Sequence, residues 1–255
     1  MEITIKCTLQ YDGTAYRGFQ RQPDQQPTIQ AVLEEAIASL TGEPTRVVAA
    51  GRTDSGVHAH GQVIHFRTRS RIPVDRWAAA LNSRLPDDIV VIRAEQAPPH
   101  FHARFDAISK TYRYTIWNAP FPSPFLKRYA WWLRKPLDAA AMQEAARLLE
   151  GRHDFSAFRA AGGSARTSVR TLSQLRVEVV EAFPEGRIIH FWAQADGFLY
   201  HMVRNLVGTL VLVGLGEQEP GWVASVLAGK DRNAAGPTAP AHGLTLWEVR
   251  YPPDP

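Results

Sequence analysis

The sequence has a single cysteine and lacks any long apolar run. Cys7 has no cysteine partner, which excludes an intrachain disulfide and a cysteine-cluster metal site. No stretch approaches the roughly 18 consecutive apolar residues that span a bilayer. Residues 1–10 alternate polar and apolar side chains and do not form a signal-peptide core. We therefore expect a cytoplasmic protein without a membrane anchor.

The motifs of several cofactor-dependent or nucleophilic enzymes are also missing. The sequence contains neither a Walker-type GxxxxGK[ST] loop, nor the GxGxxG of dinucleotide-binding folds, nor a GxSxG elbow. These absences remove support from nucleotide hydrolysis, hydride transfer and serine acyl transfer.

Lysine is scarce, since 24 of the 29 basic residues are arginine and 5 are lysine. The net charge is only +4, but residues 1–103 sum to 0, residues 104–176 to +8 and residues 177–255 to −4. Arginine forks pair with phosphates and stack on bases, so the middle third is a candidate nucleic-acid surface. Genome composition or heat tolerance would explain the arginine content equally well.

Hydrophobic periodicity predicts two similar halves. Thr28 is a candidate cap for a helix whose apolar residues recur at the helical period, and strand-like runs flank that helix. The predicted first half has a strand at 3–9, a helix at 29–40, strands at 47–50 and 63–66, a helix at 74–82 and a strand at 89–92. The predicted second half has a strand at 107–117, a helix at 138–150, strands at 172–180 and 188–193, a helix at 200–213 and a strand at 244–251.

This order of elements predicts an α+β fold with two β-α-β-β-α-β halves that are ferredoxin-like or RRM-like. We expect mainly antiparallel sheets with helices on one face, domains at 1–104 and 105–255, and a catalytic cleft between the halves. The same topology occurs in a common single-stranded RNA-binding module, which raises the expectation of an RNA partner without establishing one.

The segment Gly51–Gln62 is the densest cluster of glycine and polar residues. Three glycines directly after a strand indicate a tight loop, with Asp54 at its tip and Arg52 two residues earlier. Asp54 is a candidate reactive carboxylate. An Asx-turn that only ties the loop to itself is the structural alternative.

The same segment allows a metal-dependent hydrolase, because Asp54, His58 and His60 supply oxygen and imidazole ligands at close spacing. Against it, the sequence has no HExxH and no second carboxylate cluster.

Two further clusters carry candidate binding residues. Alternation places Tyr112 and Tyr114 on one face of a strand within the basic third, where core packing is the alternative to a binding role. Arg204 interrupts an otherwise apolar helix. Since an unpaired buried charge is costly, it requires a carboxylate or a ligand phosphate.

Six stretches of the sequence together resemble one family. They are YDGTAYRGFQRQ (11–22), AGRTDSGVHAHGQVIHF (50–66), FHARFDAISKTYRY (101–114), HDFSAFRA (153–160), GFLYHMVRNLVG (197–208) and TAPAHGL (238–244). In this order they resemble the tRNA pseudouridine synthase A family, isomerases that convert uridine to pseudouridine at positions 38, 39 and 40 of the tRNA anticodon stem-loop.

The resemblance assigns roles to five residues. It implies that Asp54 is the essential catalytic aspartate, that Tyr112 stacks on the extruded base, and that Arg204 pairs with the aspartate. It also implies that Arg52 helps to hold the flipped nucleotide and that Leu244 packs beside the pocket. A homodimer, a tRNA lying across both subunits, and the absence of any cofactor or metal are further implications.

Two positions depart from the family pattern. Phe19 stands where the family usually has Trp, and Ser168 stands where Pro is frequent. Neither departure affects Asp54, Tyr112 or Arg204. A non-catalytic RNA-binding protein of the same fold is the alternative function that the sequence leaves open.

Overall fold

The computed structural model describes residues 2–22, 26–182 and 186–252. Its strands are β1 (Ile3–Tyr11), β2 (Val48–Ala49), β3 (His58–Thr68), β4 (Ile89–Ala97), β5 (Ser109–Asn118), β6 (Trp131–Leu133), β7 (Gly151–Asp154), β8 (Val169–Ala182), β9 (Gly186–Ala195) and β10 (Leu244–Arg250). Its α-helices are α1 (Ile29–Thr41), α2 (Trp77–Asn82), α3 (Ala139–Arg147), α4 (Met202–Gly214) and α5 (Trp222–Gly229). No helix in these residues is both long and apolar enough to span a membrane.

The chain forms two compact units. Unit 1 contains the residues up to Ile108 together with those from Thr245 onward, and unit 2 is Ser109–Leu244. The expected division at 1–104 and 105–255 differs from these units mainly at the C-terminal end. The difference arises because β10 pairs with β3 of unit 1.

Unit 1 is built on a sheet in which β1 lies between β4 and β3 and is antiparallel to both. β2 pairs antiparallel with β3 at Ile64 and His65, and β10 pairs parallel with β3 at His58 and Ala59. The alternation in β1 puts Ile5, Cys7 and Leu9 fully inside. Cys7 is a free, buried thiol, and burial raises its pKa to about 12.

The first helix of unit 1 begins and ends where the sequence indicates. The Thr28 side chain accepts a hydrogen bond from the Ala31 amide, and Gly42 closes the helix in the left-handed conformation. The face bearing Leu33 and Ile37 is buried. An amphipathic helix with both ends capped is the kind of element that local sequence specifies most reliably.

Unit 2 contains antiparallel strands in the order β5-β9-β8-β7, with β6 parallel to the end of β5. α3 packs against β8, and α4 packs against β5. Tyr112 and Tyr114 share the inward face of β5, while Arg113 lies on the opposite face beside Trp192 of β9. Helices on one face and polar side chains on the other are the arrangement expected for a ferredoxin-like half.

The predicted α+β class and the mainly antiparallel pairing are confirmed. The β-α-β-β-α-β order of the first half is also confirmed. In the second half the structure adds β6, β7 and α5, which hydrophobic periodicity does not predict. β6 and β7 have three and four residues, too few for a period-2 pattern to stand out.

The buried His65 of β3 is hydrogen-bonded to Ala103, in the segment that comes after β4. The Ala103 amide donates to Nδ1 of His65 at 3.1 Å, so the imidazole is neutral at that nitrogen. Burial lowers the pKa of His65 to about 4, and the neighbouring His102 and Arg67 act in the same direction.

Stability is therefore predicted to fall as the pH is lowered from about 6.5 to about 4. In that window the unfolded chain binds a proton that folded His65 excludes, so unfolding becomes more favourable. His65→Asn keeps an acceptor oxygen for the Ala103 amide and removes the proton-binding site. Urea unfolding at a series of pH values should show a flatter pH dependence for His65→Asn than for wild type. The exposed His100→Asn is the control, and an equal flattening in both variants would contradict the prediction.

Candidate active site

Asp54 lies in the loop between β2 and β3. The Val57 amide donates to the Asp54 carbonyl at 3.1 Å, which closes a four-residue turn. Gly56 occupies the third position of that turn with φ +75°, a value that a type II turn requires and that glycine adopts without strain. Asp54, at the first position of this turn, is partly exposed.

A second loop, residues 12–19, supports the Asp54 loop through the main chain. The Phe19 amide donates to the Thr53 carbonyl at 3.0 Å, and the Ser55 hydroxyl donates to the Tyr16 carbonyl at 3.2 Å. Gly18 has φ +85°, and a Cβ atom placed there would lie 2.7 Å from the Thr53 carbonyl oxygen. The two loops therefore approach at a distance that excludes a side chain.

Below the loop, buried polar groups hold its entry point. The Tyr11 hydroxyl lies 2.7 Å from the Thr53 hydroxyl and accepts from the Gln62 amide nitrogen at 3.4 Å. The same amide nitrogen donates to the Gly51 carbonyl at 2.7 Å. Burial raises the pKa of Tyr11 to about 12, so its hydroxyl stays protonated. These bonds fix the chain on both sides of Arg52, whose own side chain is exposed.

The two histidines of the proposed metal site are engaged elsewhere. Nδ1 of the buried His58 accepts from the Gly13 amide at 3.0 Å, and the exposed His60 stacks on Trp247 with ring centroids 4.1 Å apart. Within the described ranges, no group of three histidine, cysteine, aspartate or glutamate side chains is placed to hold a metal ion. The metal-dependent hydrolase therefore has no geometric support.

Unit 2 assembles the predicted base-binding residues. The Tyr112 ring meets Phe198 edge to face, with centroids 5.0 Å apart. Tyr114 is fully buried, and its hydroxyl donates to the Pro240 carbonyl at 2.8 Å. A Cβ atom at Gly243 would lie 2.5 Å from the Tyr114 ring, so the residue before Leu244 rests directly on that ring. Tyr114 is a core residue that orders the strand and loop around Tyr112.

Arg204 lies in the first turn of α4 and is joined twice to the segment 238–244. Its Nε donates to the Ala239 carbonyl at 2.7 Å, and its own carbonyl accepts from the Ala239 amide at 3.1 Å. Burial raises the pKa of Tyr114, and the positive charge of Arg204 opposes that rise. Leu244 is buried at the start of β10.

Sequence comparison with known proteins covers nearly the whole chain. The family model for tRNA pseudouridine synthase matches residues 8–106 and 145–252. The tRNA pseudouridine synthase A of Moorella thermoacetica is 51% identical over 248 residues, which cover 97% of this chain and 99% of that protein.

The chain belongs to the tRNA pseudouridine synthase family. The tRNA pseudouridine synthases A of Brevibacillus brevis and Geobacillus kaustophilus are 49% and 46% identical, covering 97% and 98% of this chain and 99% and 95% of those proteins. Among solved structures, a Cbf5-Nop10-Gar1 complex matches with a TM-score of 0.32 and 10% identity over 82% of this chain and 54% of that chain. A likeness that weak supports no conclusion about the chain.

The predicted site residues fall into two sets. Asp54 and Arg52 belong to unit 1, whereas Tyr112, Arg204 and Leu244 belong to unit 2. The matching stretches meet accordingly: 11–22 contacts 50–66, and 197–208 contacts both 153–160 and 238–244. The pairing of Arg204 with Asp54 stays a prediction.

Sequence reasoning missed the supporting residues of this synthase fold. Tyr11 and Thr53 are 42 positions apart, and neither carries a local signal of its partner. Asn205 had a usable signal, because an amide inside an apolar helix must find hydrogen-bond partners when it is buried.

Gly18→Ala is predicted to destabilise the protein more than Gly42→Ala. Both glycines have positive φ, so alanine is strained at each. Only at Gly18 would the new Cβ atom also clash with main chain, since nothing lies within 4 Å of a Cβ at Gly42. Overpacking adds about 1 to 3 kcal/mol. The free energies of unfolding of the two variants test this, and equal losses would show that the loops tolerate the added methyl group.

Proposed function

We propose that this chain isomerises uridine to pseudouridine at positions 38, 39 and 40 of the tRNA anticodon stem-loop, with Asp54 as the catalytic carboxylate. The observation that carries the proposal is the Asp54 loop: main-chain bonds to residues 16–19 hold the turn that carries Asp54, a partly exposed residue. Family membership supplies the class of reaction, an isomerisation.

The reaction itself fits a site without redox groups. The C–N glycosidic bond breaks, the uracil turns, and a C–C bond forms at the same sugar carbon, with the uracil C5 proton leaving to solvent and one returning to nitrogen. No atom is gained or lost overall. A carboxylate could act by attacking the sugar, by attacking the base or by removing a sugar proton, and each route needs the ionised form.

Arg204 is proposed to favour that ionised form, because a nearby positive charge lowers the pKa of a carboxylate. The double link between Arg204 and Ala239 supports this role by restraining the direction of the guanidinium. A side chain held in place before the reaction stabilises charge without a cost in reorganisation.

The target base must leave the helix before any side chain can reach it. Tyr112 is proposed to stack on the extruded base, Leu244 to pack beside it, and the exposed Arg52 to hold the flipped nucleotide. The edge-to-face contact with Phe198 supports Tyr112 as a rigid platform. The net charge of +8 between residues 104 and 176 supports contact with tRNA phosphates.

Asp54→Asn is predicted to abolish tritium release from tRNA that carries uracil tritiated at C5. The amide keeps the shape of the side chain and removes the charge that each catalytic route needs. Tritium release should fall by at least about 10³-fold, while tRNA affinity changes much less. Asp87→Asn, at an exposed carboxylate of unit 1, is the matched control and should keep wild-type release.

Further arms of the same assay separate the alternatives. Release should disappear with a tRNA whose uridines at 38, 39 and 40 are replaced by cytidine, and a metal chelator should leave it unchanged. Bound tRNA without release from wild type would identify a non-catalytic RNA-binding protein. Inhibition by the chelator that a divalent ion reverses would revive the hydrolase.

We also propose a homodimer. The surface that supports this proposal lies in the segment that comes directly after β5 in the sequence. Phe121 is 77% exposed and Phe125 is 88% exposed, with Tyr129 and Trp132 exposed nearby. Exposed aromatic side chains in one segment are typical of protein contact sites.

This segment is ordered from within. The Trp117 indole donates to the Phe121 carbonyl at 2.9 Å, and the Trp132 indole donates to the Ala119 carbonyl at 2.9 Å. Trp117, Ala119 and Ala130 form a small core beneath it. Because these contacts hold the backbone at Phe121, a partner that binds there pays little backbone entropy.

The double variant Phe121→Ser/Phe125→Ser is predicted to halve the molar mass measured by light scattering at micromolar concentration. Ile92→Ser, at a half-exposed position of β4, should leave the mass unchanged. An unchanged mass together with weaker tRNA binding would assign the surface to RNA. An unchanged mass with unchanged tRNA binding would show that neither partner uses it.

A further inference from the structure

We infer that Asn205, Arg232 and Thr238 form a positioning unit that sets the side chain of Arg204. The inference rests on the proposed function, because it gives Arg204 a role in the reaction. None of the three residues is assigned a role by the matching stretches.

Asn205 follows Arg204 in α4 and is fully buried. Its amide nitrogen donates to the Phe158 carbonyl at 2.8 Å. Its amide oxygen accepts from the Thr238 hydroxyl at 2.6 Å and from the Arg232 guanidinium at 3.0 Å. Since a guanidinium can only donate, the amide must turn its oxygen toward Arg232. Every polar atom of the buried amide then has a partner.

Arg232 closes the network. One of its nitrogens reaches both Asn205 and the Thr238 hydroxyl, each at 3.0 Å, and another donates to the Gly236 carbonyl at 2.9 Å. The Thr238 hydroxyl thus accepts from Arg232 while it donates to Asn205. Such a closed set allows one arrangement of donors and acceptors, which makes the loop 236–239 rigid against the helix.

The loop and the helix also touch through their main chains. A Cβ atom at Gly208 would lie 1.7 Å from the Pro237 carbonyl oxygen. One residue beyond Thr238, Ala239 provides both main-chain partners of Arg204. The position of the Ala239 carbonyl, and with it the direction of the Arg204 side chain, therefore depends on the bonds made by Thr238 and its neighbours.

Thr238 offers the sharpest test, because valine has nearly its shape and lacks the hydroxyl. Thr238→Val should lower the single-turnover rate of tritium release at saturating tRNA about tenfold, the effect of one buried hydrogen bond, with tRNA affinity within twofold of wild type. Thr238→Ser retains the hydroxyl and should restore the rate to within twofold. A residue that only stabilises the fold would lower the melting temperature and leave this rate unchanged.

A double-mutant cycle shows whether the effect acts through Arg204. Arg204→Lys keeps the positive charge and loses the Nε–H donor to Ala239. In that background Thr238→Val should cost less than twofold, because the side chain that it positions has been removed. Equal losses in both backgrounds would overturn the inference, as would equal rates for Thr238→Val and wild type.

Two controls keep the outcome clear. Wild type must release tritium and Asp54→Asn must not; if wild type is inactive, the proposed function fails and not the network. Should Thr238→Val be too unstable to assay, Arg232→Lys replaces it. A lysine offers a single nitrogen in place of the two through which Arg232 reaches Asn205, Thr238 and Gly236, so the same tenfold loss is expected, and a wild-type rate would overturn the inference.

Discussion

The candidate site depends on close contacts between main chains that only glycine permits. In unit 1, Gly18 lets residues 16–19 lie directly on the Asp54 loop. In unit 2, Gly208 lets the loop 236–239 lie directly on α4. At such distances, main-chain donors and acceptors bond to each other, as the Phe19 amide does to the Thr53 carbonyl and the Ala239 amide to the Arg204 carbonyl. A loop held in this way can present the Asp54 carboxylate without a supporting secondary-structure element of its own, whereas Arg204 is carried by α4.

Each contact is accompanied by a small set of buried polar groups. Tyr11, Thr53 and Gln62 hold the start of the Asp54 loop, and Asn205, Arg232 and Thr238 hold the segment beside Arg204. Buried polar groups are costly when unpaired and specific when fully paired. Both sets therefore favour one loop conformation over its alternatives. In both units, the loop beside the proposed site residues is held in the same way, by a close contact at a glycine and a cluster of buried hydrogen bonds.

Much of the fold could be predicted from local pattern. Both β1 and α1 can be recognised within about a dozen residues. In each, the buried residues recur at a fixed period, which is two in the strand and about 3.6 in the helix. β6, β7 and α5 are too short or too weakly patterned for that. The strand partner of β10 could not be predicted either. Its own sequence indicates a strand, but nothing in it specifies that β3 of unit 1 is its partner.

For the site, the sequence by itself determined the family and the identity of the candidate residues. The six matching stretches, in their order along the chain, specified the family and the candidate residues, because the residue types that the reaction needs can be read from the sequence itself. The tertiary structure decided which side chains hold them: Tyr11 lies 42 positions from Thr53, and Asn205 lies 33 from Thr238. It also decided that Tyr114 belongs to the core and that His58 and His60 are engaged by Gly13 and Trp247. Hydrogen bonds between distant residues form only once the chain has folded, so no local pattern records them.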